Sequence, residues 1–79
     1  MTLLSSRAVS FPRYRLEEHA PGLAAFIVGF ADTPAQYQAL LSRRAAQLSR
    51  AHLPAELVVI DQESEAIIVR RDVWLTPKS

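Results

Sequence analysis

Leu23-Ala24-Ala25-Phe26-Ile27-Val28-Gly29-Phe30-Ala31 carries no polar side chain and runs straight into Asp32-Thr33-Pro34-Ala35-Gln36. An apolar run of this length, with a Phe-Ile-Val heart and breakers on both sides, reads as a strand covered on both faces. Gly29 weakens it and marks a bulge or a close backbone approach. The residues that follow read as a helix start. Thr33 suits the N-cap, Pro34 the first helical position, and Gln36 the place where a capping box wants Glu or Gln. Tyr37, Leu40, Leu41, Ala45, Leu48, Ala51 and His52 then recur at helical spacing as one apolar stripe. Pro54 requires the helix to stop before it. The expected helix spans Pro34 to His52.

Outward from this pair, the chain divides simply. Glu56 to Asp61 is short and β-branched, Gln62-Glu63-Ser64-Glu65 is a polar turn, and Ala66 to Arg71, extending towards Leu75, is a second strand. These form an antiparallel hairpin. On the N-terminal side, Ala8 to Leu16 contains Phe11, Tyr14 and Leu16 but also Pro12, which predicts an edge strand or extended arm. Glu17 to Gly22 reads as the turn after it. Residues 1–7 are expected to be a loose arm. The expected fold is α+β, a small single-sheet domain of β-β-α-β-β order over residues 1–79. One long helix packs on one face of a mostly antiparallel sheet. If Leu23–Ala31 and the first hairpin strand lie side by side, the helix is a right-handed crossover between them.

Composition narrows the function classes. With 79 residues the chain buries only ~60% of its unfolded surface, so stability from a partner or a second copy is expected. There are no cysteines, hence no disulfide and no thiolate metal site. The net charge of +1 is no global sign of a polyanion binder. No apolar run approaches the ~20 residues of a spanning helix, and the N-terminus lacks the pattern of a secretory signal. No membrane role is expected, and the cytoplasm is the expected location.

Catalytic signatures are missing. His19 and His52 lack neighbours at metal-ligand spacing. Two glycines, Gly22 and Gly29, cannot build a phosphate-cradling loop. The acids Asp61, Glu63, Glu65 and Asp72 read as a solvated hairpin that discourages wrong pairing. No enzyme, cofactor, metal or small-molecule ligand is therefore expected. In size and composition alone the chain resembles small bacterial or phage-encoded accessory and inhibitor proteins.

Arg44 is out of place, because helical spacing puts it inside the apolar stripe. It either snorkels, pairs with an acid such as Asp61 or Asp72, or anchors a partner. On the last strand, Ile67, Val69, Val73 and Leu75 share a face with Arg71 and alternate with Ala66, Ile68, Arg70 and Asp72, so both faces of the sheet carry apolar groups. One helix cannot cover both, which implies a second cover. The expectation is a non-enzymatic accessory or inhibitor module that binds another protein, itself, or both, as a homodimer. Phe11, Tyr14, Arg44, Arg71 and Trp74 are its candidate partner-binding residues. The alternative is a small nucleic-acid-binding regulator using Arg13, Arg15, Arg43 and Arg50, since Thr33 to Pro54 contains no acid.

Overall fold

The computed structural model describes residues 12–74. Strand β1 spans Tyr14–His19, β2 Phe26–Ala31, helix α1 Pro34–Ala51, β3 Ala55–Asp61 and β4 Ala66–Val73. The expected β-β-α-β-β order holds, and the helix packs on one face of a four-stranded sheet. The strand order is β2-β1-β3-β4, with every neighbouring pair antiparallel.

The helix boundaries follow from local chemistry. Thr33 is extended at the cap (φ −132°, ψ 159°), and its Oγ1 accepts the Gln36 amide at 3.2 Å. Gln36 reaches back with Oε1 to accept the Asp32 amide at 2.7 Å. The other end closes before Pro54 takes effect. His52 adopts a left-handed conformation (φ 58°), its amide donates to the Ser49 carbonyl, and the Leu53 amide donates to the Leu48 carbonyl at 3.0 Å. This is the Schellman arrangement, which satisfies carbonyls that the helix leaves unpaired.

Two expectations about the strands are reversed. The segment around Tyr14 is not an edge. Its strand begins after Pro12, continues through Glu17 and Glu18, and is paired on both sides. Conversely, Phe26–Ala31 is not covered on both faces, since Phe26, Ile27 and Phe30 are half exposed. Among the described residues it forms the outer strand, bonded to β1 alone. β2 and β3 run in the same direction but are separated by β1, so α1 crosses over an intervening antiparallel strand. Side-by-side pairing of the two is excluded because β1 takes up an edge of each.

The core lies between α1 and one face of the sheet. Leu41, Ala45 and Leu48 of the helix meet Leu16, Ala55, Leu57, Val59 and Val73. The helical spacing of four and three residues puts the first set on a single stripe. Tyr37 closes one end by an edge-to-face contact with Tyr14, with centroids 4.8 Å apart.

Candidate functional site: an apolar sheet edge

Both outer strands contain a bulge. On β2, Leu16 faces Gly29 while Glu17 faces Ile27, so Val28 is an extra residue. On β4, Val59 faces Val69 while Ile60 faces Ile67, so Ile68 is extra. A bulge shifts the face on which later side chains lie. The plain alternation expected on the last strand is thereby corrected. Val69, Arg71 and Val73 share the helix side, but Ile67 lies with Ile60 on the open side. Leu75 falls outside the described residues.

The open face is mixed rather than uniformly apolar. Its register places Phe30, Arg15, Ile60 and Ile67 in one row and Ile27, Glu17, Val58 and Arg70 in the next. Val58 and Ile60 are buried at its centre, with the long stems of Arg15 and Arg70 beside them. The charges largely pair with one another. Arg15 Nε donates to Glu17 Oε2 at 2.7 Å, and Arg70 Nη1 donates to Glu56 Oε2 at 3.1 Å. The Arg15 hydrogen bond holds the Glu17 carboxyl below its ordinary pKa; burial opposes this and His19 adds to it.

Exposed apolar surface collects at both borders of the sheet: Ile67 and Ile68 of β4 are exposed, and the longer patch runs along β2. Phe26, Ile27 and Phe30 are 50%, 49% and 50% exposed, and Leu23, just ahead of the strand, is 72% exposed. Phe26 faces Glu18 across the ladder. Glu18 lines an apolar groove of about 200 Å³ with Ala20, Pro21, Leu23, Leu48, Leu53 and Pro54. The apolar edge and this groove are thus neighbours. No residue of β2 carries a charge or is proline. Natural edges are usually blunted by such residues. The sequence run was visible from the start, but its exposure was not, because the composition of a doubly covered strand and of an unprotected edge is the same.

The residues singled out from sequence lie in several places. Phe11 is outside the described residues. Tyr14 is partly buried against Tyr37, with the Arg13 guanidinium 5.6 Å from its ring centroid. Arg44 pairs with an acid, though with neither Asp61 nor Asp72. Its Nε donates to Glu18 Oε1 at 2.6 Å and its Nη2 to Glu18 Oε2 at 3.2 Å, while Nη1 donates to Gln47 Oε1. Glu18 is 5% exposed and faces the helix, so this bidentate pair ties α1 to β1. Trp74 is largely exposed, but its indole N–H donates to the Ser49 carbonyl at 3.3 Å, and its ring lies 5.3 Å from that of His52. Arg71 borders a different hollow of about 330 Å³, with Ser42, Ala45, Ala46, Ser49, Asp72 and Val73. Arg44, Arg71 and Trp74 therefore do not converge with Tyr14 on one surface.

The arginines of the nucleic-acid alternative also separate. Arg13 bonds to Asp61 at 2.9 Å and lies 3.2 Å from Glu63, and Arg15 reaches Glu17 and Glu65. The hairpin acids Asp61, Glu63 and Glu65 are thus partners for these two arginines rather than simply solvated. Asp72 sits at the other end of the hairpin, opposite Glu56. The Arg13 bond, helped by the Glu63 amide, holds Asp61 below its usual pKa. Arg43 and Arg50 stand exposed on α1, seven residues apart, and so on one outward side of it.

His19 Nε2 lies 3.0 Å from Glu17 Oε1 at the open face. It lies at the end of a strand, not in the turn expected from sequence. Among the described residues no three His, Cys, Asp or Glu side chains are grouped as a metal site requires. No helix there is long and apolar enough to cross a membrane. Compared with protein-family models, with curated proteins and with solved structures, the chain finds no match.

Proposed function

We propose that this protein is a non-enzymatic interaction module that binds a polypeptide along β2, acting as an accessory or inhibitor protein. One observation carries the reading. The outer strand leaves Phe26, Ile27 and Phe30 half exposed, with no second strand bonded to it among the described residues and no charge to discourage a visitor. An added strand would gain backbone hydrogen bonds from the edge and side-chain contacts from those residues. The reading includes a cytoplasmic setting, which suits a chain without cysteines.

Tagged wild-type chain and an Ile27→Lys/Phe30→Lys variant, cross-linked in host extract, test it. The wild type should retain a polypeptide, its own or another, that the variant loses. The variant should still melt cooperatively, because both side chains are half in solvent. Loss of folding, or equal retention by both chains, overturns the proposal.

A second reading is favoured by α1, which has no acidic residue and presents Arg43 and Arg50 outward. It requires affinity for nucleic acid that falls steeply with salt and disappears in Arg43→Glu/Arg50→Glu. No retardation of duplex DNA or single-stranded RNA at low salt removes it.

A further inference from the structure

We infer that the occupant of the β2 edge is a second copy of this chain, joined strand to strand about a two-fold axis between Val28 and Gly29. The inference rests on β2 being a docking surface and adds which partner it fits.

The argument is one of register. A two-fold axis pairs the strand with itself in reverse, and residues directly opposite in an antiparallel pair share a face. A strand can do this cleanly only where its face pattern reads the same in both directions. Simple alternation over a six-residue strand does not do so about its middle, since residues at equal distances from the axis then point to opposite faces.

The bulge changes this for β2. Phe26, opposite Glu18, and Ala31, opposite Tyr14, lie on the helix side. Ile27, opposite Glu17, and Phe30, opposite Arg15, lie on the open side. Val28 packs against the core, and a Cβ on Gly29 would meet the Leu40 side chain at 3.5 Å, so both are turned towards the helix. From Phe26 to Ala31 the order is therefore helix, open, helix, helix, open, helix. That pattern is symmetric about Val28 and Gly29.

The side chains complement one another in the same register. Ile27 falls opposite Phe30 of the second copy, an aromatic and β-branched pair that stabilises sheets. Phe26 falls opposite Ala31, and Val28 opposite Gly29, so each large group meets a small one. Sliding the centre onto Val28 or onto Gly29 sets helix-side residues against open-side ones, which register specificity disfavours. β4, the other edge, also exposes Ile67 and Ile68, but its second half carries Arg70, Arg71 and Asp72. Charges of this kind discourage edge-to-edge association.

The size of the contact sets the expected strength. Three half-exposed side chains of the 150–250 Å² class offer on the order of 300 Å² of apolar surface per copy. With the paired backbones, the total reaches the ~1,000 Å² end of specific interfaces. A contact of this size fits a reversible dimer rather than an obligate one.

Analytical ultracentrifugation of purified protein from low micromolar to millimolar concentration is the test. Wild type should pass from monomer to dimer and no further. Ile27→Lys should remain monomeric and folded, and Ile67→Lys on the other edge should dimerise as the wild type does. The chain has no cysteine, so the register is read by disulfides. Mixed Ile27→Cys and Phe30→Cys chains should cross-link to each other faster than either does to itself. A wild type that stays monomeric throughout, or cross-links that prefer Ile27 to Ile27, overturns the two-fold pairing. If Ile27→Lys unfolds, the docking reading beneath it fails instead.

Discussion

The two outer strands of this sheet are built alike and finished differently. Among the described residues each is bonded to one neighbour, and each has one extra residue that bends its edge. β4 then carries Arg70, Arg71 and Asp72, while β2 is apolar throughout. A bulge alone re-aims side chains; charge is what makes an edge unattractive to another strand. The contrast teaches that apolar surface lies bare at both borders, Ile67 and Ile68 on β4 as well as Phe26, Ile27 and Phe30 on β2, and that only β2 leaves it without charges in the same strand. The centre of that face is apolar but buried, with paired charges around it.

The ties between helix and sheet differ on the two sides in the same way, and three substitutions or conditions sharpen the comparison. At β1, the neighbour of β2, the helix is held by Arg44 on Glu18. Arg44→Ala should cost about 2–4 kcal/mol in chemical denaturation, because it leaves a buried carboxylate unpaired. Replacing both residues by apolar ones should recover most of this. A loss below ~0.5 kcal/mol for Arg44→Ala would mean that the pair is as weak as an exposed one.

On the β4 side, the tie is the Trp74 indole on the Ser49 carbonyl. Trp74→Phe keeps the ring and removes the donor, so a loss of about 1 kcal/mol is expected. The same measurement checks it. A loss equal to that of Arg44→Ala would erase the asymmetry between the two sides.

The smallest and most local effect is that of acid. Asp61 and Glu17 have folded pKa values below their unfolded ones. Their contribution is complete above the unfolded range, near 4, and is lost as pH falls through the folded values. Asp61 and Glu63 receive Arg13 at the β3–β4 turn. Amide exchange followed from pH 7 to 3 should therefore show Gln62, Glu63 and Glu65 losing protection before the fully buried Leu57 and Val59 of β3. Simultaneous loss at all of these would show that acid unfolds the domain as a whole rather than releasing the turn.

Much of the candidate site was written in residues that sequence reading valued for another reason. Phe26, Ile27 and Phe30 stood out as the heart of a buried strand, and the same greasiness now marks an edge. Arg44 was recognisable as anomalous from its place in the helical stripe, and its pairing with an acid was among the expectations. Glu18 could not be named as its partner while Glu17-Glu18 was read as a turn. The face assignments on β4 failed at Ile68 because a bulge leaves no mark in an apolar run.

What the amino-acid order determined by itself was local. Thr33, Pro34 and Gln36 start the helix, its stripe at helical spacing faces the core, and the polar Gln62–Glu65 segment turns the hairpin. Each depends on groups a few residues apart. Only the tertiary structure decided that β1 stands at the centre and β2 at the border. Strand order depends on backbone pairing between distant segments, and the backbone N–H and C=O groups that make the ladder are the same in every residue but proline. The chain could therefore announce its strands without announcing their neighbours.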